Sequence, residues 1–278
     1  MRAYVAVYVL MLMLSMGLAN AMYLQIIGPA SGILSNNGSI FLGNVGPGES
    51  FYLLASASTT NASGTYINIG WDTLEAVKLP QGWSAQASPL YENPMKLKIT
   101  VSPNATVGPY AVMVRAVNIN NYSRLGNLTI TAYINVTPHV FMLRVSPLSI
   151  HAGAGQPVNL LVSINNTGIS DDPFIISAQG LPAFNNPVQV IALHGKTSEF
   201  TYPVYINEPG VYKFRLVVES ASSQSLRSSY NITLTVSSSL ANDYAAINQG
   251  VVLSPVILEP GYVVMQVADW LYALMTRR

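Results

Sequence analysis

Eight asparagines, Asn37, Asn61, Asn104, Asn121, Asn127, Asn135, Asn165 and Asn231, each stand two positions before a serine or threonine. That spacing is the acceptor tripeptide for N-linked glycosylation, a modification that needs a residue held at the surface. Asn127, Asn135, Asn165 and Asn231 share the phase of the polar residues in period-two segments, so a glycan there projects away from the core. Asn135 is the poorest acceptor of the set, because Pro138 follows its tripeptide. The competing reading is that Asn, Ser and Thr simply decorate strands and turns.

Other chemistry is sparse. His139, His151 and His194 stand apart, with no His-x-x-x-His or His-Glu pairing that would hold a metal, and each reads as a loop or linker residue. Asp171-Asp172 is the one acidic doublet, before Pro173 in a predicted loop, and a calcium site there would need several further oxygen ligands. The chain has no cysteine, so it carries no disulfide framework, thiolate metal site or cysteine nucleophile. No Gly-x-Ser-x-Gly elbow, phosphate-binding loop or Gly-x-Gly-x-x-Gly occurs. Trp71, Trp83, Tyr91 and Tyr110 are the candidates for an aromatic platform that stacks on sugar rings, against core or sandwich-end packing. The residues thus predict no catalytic centre, no cofactor and no metal.

Charge narrows the partners. Only 9% of the 278 residues are charged and the net charge is +1, so the surface must be polar but neutral. No Lys/Arg run precedes Arg277-Arg278, which leaves no electrostatic footprint for nucleic acid. Few charges and no cysteine suit a prokaryotic envelope, in an acidic or hot medium where carboxylates would protonate.

The elements that must position these residues are strands. Met95, Leu97, Ile99 and Val101 alternate with Lys96, Lys98 and Thr100, and Leu128, Ile130, Ala132, Ile134 and Val136 alternate with polar residues in the same way. Val158 to Ile164, Tyr212 to Val218 and Tyr230 to Val236 repeat the habit. The two halves also echo each other at offsets of about 100 residues: Leu79-Pro80 with Leu181-Pro182, Gly108-Pro109-Tyr110 with Gly210-Val211-Tyr212, and Asn127-Leu128-Thr129 with Asn231-Ile232-Thr233. The fold class predicted is all-β: two tandem antiparallel immunoglobulin-like β-sandwiches with a short C-terminal apolar helix. Residues 22–137 form the first module and 138–237 the second, divided at Thr137-Pro138-His139. The tyrosine of each Gly-x-Tyr either turns a sandwich corner, its hydroxyl bonding backbone, or is there because tyrosine favours strands.

The ends differ. Met1-Arg2, an apolar stretch to Leu18 and Ala19-Asn20-Ala21 read as a signal peptide, residues 1–21, cut between Ala21 and Met22. The alternative is an uncleaved anchor, and either way the rest is exported. Residues 238–260 read as a linker and 261–276 as a helix opened by Pro260. Val263, Val264, Val267, Trp270, Leu271 and Leu274 form its apolar surface, with Gln266 and Asp269 on one side. It either associates with a membrane, with Arg277-Arg278 on the cytoplasmic side, or docks on a sandwich or partner protein. Against a full span, the stretch is short and an Asp in hydrocarbon is costly.

The segment Leu79-Pro80-Gln81-Gly82-Trp83, followed by Leu97 to Pro103, Asn104-Ala105-Thr106 and Gly108-Pro109-Tyr110, resembles the Ig-like module of many archaeal and bacterial surface proteins, the type that accompanies sugar-binding modules in some α-galactosidases. Val158 to Ile164 running into Asn165-Asn166-Thr167-Gly168 is similar to the adhesion-type CARDB variant. The resemblance covers most of Val45 to Val236 and implies a spacer, adhesion or envelope role on the extracellular face of the cell membrane. The rival expectation is a glycan- or peptide-binding accessory subunit of a membrane enzyme or transporter complex.

Overall fold

The structure is a computed structural model that describes residues 22–60, 65–119, 125–181 and 186–238. The signal segment 1–21 with Ala21, the acceptors Asn61 and Asn121, and residues 239–278 with Val263, Val264, Val267, Trp270, Leu271 and Leu274 lie outside the described residues. Among the described residues every regular element is a strand, and no helix is long and apolar enough to cross a membrane. Two compact units divide between Thr137 and Pro138.

The first unit contains β1 (Leu24–Gly28), β2 (Gly32–Leu34), β3 (Ser39–Val45), β4 (Ser50–Ala55), β5 (Ser58–Thr60), β6 (Tyr66–Gly70), β7 (Thr73–Lys78), β8 (Ser84–Gln86), β9 (Met95–Thr100), β10 (Gly108–Val117) and β11 (Leu128–Val136). They build a five-stranded sheet, β2-β1-β4-β9-β8, and a four-stranded sheet, β3-β11-β10-β7. The longer strands are apolar on one side because their sequences alternate. Met95, Leu97 and Ile99 of β9 are fully buried while Lys96 between them is exposed, and Ile130, Ala132 and Ile134 of β11 are fully buried on the other sheet. Two one-sided sheets can bury those faces only against each other, which gives a sandwich. The start of the chain serves both sheets: β1 runs antiparallel to β4, whereas β3 runs parallel to β11. An antiparallel β5–β6 pair lies between β4 and β7 in the chain, and Thr60 of β5 bridges to Tyr23, the residue before β1, by paired backbone bonds of 3.0 and 3.1 Å.

The second unit contains β12 (Phe141–Ser146), β13 (Ser149–Gly153), β14 (Val158–Asn166), β15 (Asp172–Gln179), β16 (Val188–Ala192), β17 (Lys196–Val204), β18 (Gly210–Ser220) and β19 (Arg227–Ser237). Its sheets are β12-β14-β17 and β13-β19-β18-β15-β16. Again the leading segment is shared, β12 antiparallel to β14 and β13 parallel to β19. Leu160, Val162, Ile164 and Tyr202 of one sheet and Phe174, Phe214, Leu216, Ile232 and Leu234 of the other form one core cluster. Phe141 and Phe174 tie the sheets together with ring centroids 4.8 Å apart.

Two local devices recur in both units. The turn after β3 closes when Glu49 donates its N–H to the Gly46 carbonyl at 3.3 Å and accepts the Gly46 N–H on Oε2. The turn after β13 does the same with Gln156, whose N–H reaches the Gly153 carbonyl at 3.1 Å and whose Oε1 accepts the Gly153 N–H at 3.2 Å. Gly48 and Gly155, at φ 84° and 74°, take the left-handed conformation those turns require. Near the start of β10 the Tyr110 hydroxyl donates to the Thr106 carbonyl at 3.0 Å, and near the start of β18 the Tyr212 hydroxyl donates to the Glu208 carbonyl at 3.0 Å, each four residues upstream. The tyrosines therefore turn corners rather than merely favouring strands. Replacing Tyr212 by Phe removes one exposed hydrogen bond, and replacing Tyr110 removes that bond and a 2.8 Å contact with the Thr106 hydroxyl, each exposed corner worth about 1 kcal/mol or less. Tyr110→Phe and Tyr212→Phe should each lower the unfolding free energy by that amount, additively in the double variant because the sites lie in separate units. An unchanged denaturant midpoint in both single variants would remove the corners from any account of stability.

Candidate functional site

The described acceptor asparagines do not share one environment. Asn37, Asn104, Asn127 and Asn231 are exposed, whereas Asn135 and Asn165 are half-buried. Asn37 sits in the turn between β2 and β3 at φ 63°, its N–H bonded to the Thr129 carbonyl at 2.7 Å. Asn127 precedes β11 and uses its Oδ1 to accept the Asn118 N–H at 3.2 Å. Asn135 spends its amide locally, Nδ2 donating to Asn44 Oδ1 at 3.0 Å across the parallel β3–β11 pair. A glycan must leave from that same nitrogen, so Asn135 is the least suited of the described acceptors. Met22 is the first described residue.

His139 and His151 are exposed, on the segment after the first unit and on β13. His194 is not isolated, contrary to expectation. Its ring Nδ1 lies 2.6 Å from Asp171 Oδ1, and its backbone N–H donates to the same oxygen at 2.8 Å. The contact joins the connection between β14 and β15 to the turn between β16 and β17. It was hidden in the sequence because the partners are 23 residues apart. Partial burial pushes the Asp171 carboxyl up, but hydrogen bonds from the His194 backbone and ring, with the charges of His194 and Lys196, outweigh it and hold the group below its ordinary 3.8. The doublet Asp171-Asp172 does not act as a pair: Asp171 is exposed, while Asp172 opens β15 and is fully buried. Among the described residues no three His, Cys, Asp or Glu side chains group as metal ligands.

The aromatic candidates also separate. Trp71 and Trp83 are buried, 3% and 7% exposed, so they are packing residues and not a platform. Trp71 Nε1 donates to the Gly126 carbonyl at 3.2 Å, pinning the connection into β7 against the one that precedes β11. Trp83 packs on Tyr110 with ring centroids 5.2 Å apart. Tyr91 alone of the four is strongly exposed. The exposed aromatics that do stand on a sheet face are others: Phe41 and Tyr133, register partners on β3 and β11, and Tyr52 on β4.

Two shallow grooves lie on outward sheet faces. In the first unit Tyr52, Gln86, Glu92, Lys96 and Lys98 line one, with Lys96 and Glu92 paired at 3.2 Å. In the second unit Gln179, Gly180, Lys213, Arg215, Asn231 and Thr233 line the other, above buried Phe214 and Ile232. Lys213 and Arg215 were missed as site residues, although their alternation with Phe214 places both on the outward face of β18.

No protein-family model and no curated protein matches the chain. Solved structures similar to it include a β-glucosidase from Listeria innocua in complex with glucose, 15% identical over 36% of this chain, at a TM-score of 0.26. The chain spans 17% of that enzyme's length. Domains 4 and 5 of the S-layer protein SbsC are 12% identical over 78% of this chain and 99% of their own, at a TM-score of 0.33. A chimeric titin Z1Z2 carrying a peptide from decorin is 14% identical over 78% of this chain and 98% of its own, at a TM-score of 0.32. The fold rests on the sheet order itself.

The Asp171–His194 contact carries a pH dependence of definite sign. The folded carboxyl lies below its ordinary value, so the unfolded chain binds more protons in acid. The stability it contributes is present above pH 3.8 and is lost as the pH falls through the lower folded value. The His194 amide should be protected from hydrogen exchange at pH 5 and lose that protection in stronger acid, and Asp171→Asn should flatten the acid limb of second-unit stability. An acid limb identical in the two proteins would show that the contact contributes nothing.

Proposed function

We propose that the chain is an exported, non-catalytic surface protein whose two immunoglobulin-like modules serve as spacer, adhesin or envelope component. The observation that carries this reading is the duplication of one sandwich plan, with its split leading strand, its Gly–Glu or Gly–Gln turn and its tyrosine corner. A corner tyrosine bonded to backbone a few residues upstream is a device of immunoglobulin-type sandwiches and supports that finer description. The similarity of Leu79 to Tyr110 and of Val158 to Gly168 to the surface modules of the α-galactosidase-associated and CARDB types points the same way. Exposed Asn37, Asn104, Asn127 and Asn231 are the acceptors best placed for glycans on such a surface. In this reading residues 1–21 direct export and the apolar segment 261–276 holds the modules at the extracellular face of the membrane. Presentation of two rigid modules, rather than turnover of a substrate, is the function.

Cells expressing the chain with and without residues 251–278 test it. The full chain should fractionate with membranes, begin near Met22 and carry glycan mass, while the truncated chain is released. A full chain that is released freely, or that keeps its first 21 residues, would move the anchor elsewhere or make the C-terminal segment a docking element.

A further inference from the structure

The outward face of the β13-β19-β18-β15-β16 sheet carries a polar groove with a concentrated positive charge. Lys213 and Arg215 project from β18 on either side of buried Phe214, about 7 Å apart along the strand. Register sets Gln179 of β15 and Asn231 of β19 on the two sides of Arg215, and Thr233 beside Lys213. Among the described residues neither cation takes part in an ion pair, whereas Arg227 and Glu219, farther along the same two strands, approach to 4.0 Å. In a chain with only 9% charged residues, two such cations in one groove are a local departure from the neutral surface.

We propose that this groove binds a segment of an acidic polysaccharide. Arg215 offers the planar fork that suits a carboxylate, and Lys213 a second, mobile cation beside it. Gln179 Oε1 accepts from Arg227 Nη2 at 3.4 Å, which leaves its amide NH2 to donate, while the Asn231 amide and the Thr233 hydroxyl can both donate and accept, which is what sugar hydroxyls require. Two cations are too few for the phosphate backbone of a nucleic acid. The apolar members of the groove, Phe214 and Ile232, are buried, so it offers no wedge to a lipid surface or to an apolar peptide anchor. Asn231 also heads an acceptor tripeptide and lines the groove, so a glycan attached there would compete with the polymer for the same space. The inference relies on the surface-protein reading only for where such a polymer would be met. Its test in solution is separate from the fractionation that tests export.

The experiment measures retardation of the full chain, produced without N-glycosylation, in gels containing polygalacturonate, neutral dextran or polyphosphate. Polygalacturonate should retard it, dextran should not, and raising the salt concentration should weaken the effect. The exposed double reversal Lys213→Glu/Arg215→Glu should weaken binding by at least about tenfold, a difference near 1.4 kcal/mol, with an unchanged melting temperature. Arg144→Glu, on β12 of the opposite sheet, should bind like the parent chain. Thr233→Ala should weaken binding without altering net charge, and a chain glycosylated at Asn231 should lose it, with Asn231→Gln from the same host recovering it. No retardation by polygalacturonate, a double reversal that binds normally, or polyphosphate binding as tightly as polygalacturonate would overturn the assignment.

Discussion

With no cysteine in the chain, each sandwich is held shut by what its two sheets bury between them, and the rest of the structure is arranged around that constraint. A fully buried Leu, Ile, Val or Phe contributes about 1.5–3 kcal/mol. A corner hydroxyl or a turn amide contributes about 1 kcal/mol or less. In the second unit alone the core draws on Leu160, Val162, Ile164, Phe174, Phe214, Leu216, Ile232 and Leu234. Packing therefore dominates, and the hydrogen bonds at corners and turns select one arrangement of strands rather than supplying most of the stability.

That division of labour explains how much could be read from residues alone. Alternation in β9, β11, β14 and β19 is a direct imprint of one buried and one wet face, and Met95, Leu97, Ile99, Ile130, Leu160 and Leu234 lie where the alternation puts them, whereas β18 alternates only as far as Leu216 and then buries Val217 and Val218 as well. The tyrosine corners were half legible, because Gly-x-Tyr recurs but the bond to a carbonyl four residues upstream depends on how the strand is entered. Sheet order was not legible, since parallel pairing of β3 with β11 leaves no local mark. The Asp171–His194 contact and the burial of Trp71 and Trp83 were hidden for the same reason. Each depends on which connections meet at one end of a sandwich, and side-chain type does not encode that.

The scarcity of charge gives the few charged groups clear duties. Arg115 and Glu75 are register partners on β10 and β7, bonded Nε to Oε1 at 2.9 Å, and fix the position of an edge strand. On β17, an edge of the three-stranded sheet, Lys196, Glu199 and Pro203 interrupt what would otherwise be a long template for pairing with another chain. Lys213 and Arg215 take part in no ion pair among the described residues.

The shared leading segment also imposes an order in time. Asn44 on β3 meets Asn135 on β11 across 91 residues of sequence, so loop closure of that length precedes the contact that completes the first sheet pair. A chain that emerges from the ribosome from its N-terminus cannot close the first sandwich until its last strand is out, and the second waits in turn for β19. Each unit thus remains open, with its early strands unpaired on one side, for nearly the whole of its own synthesis. The two then close one after the other, without the late strands of one competing for the early strands of the next.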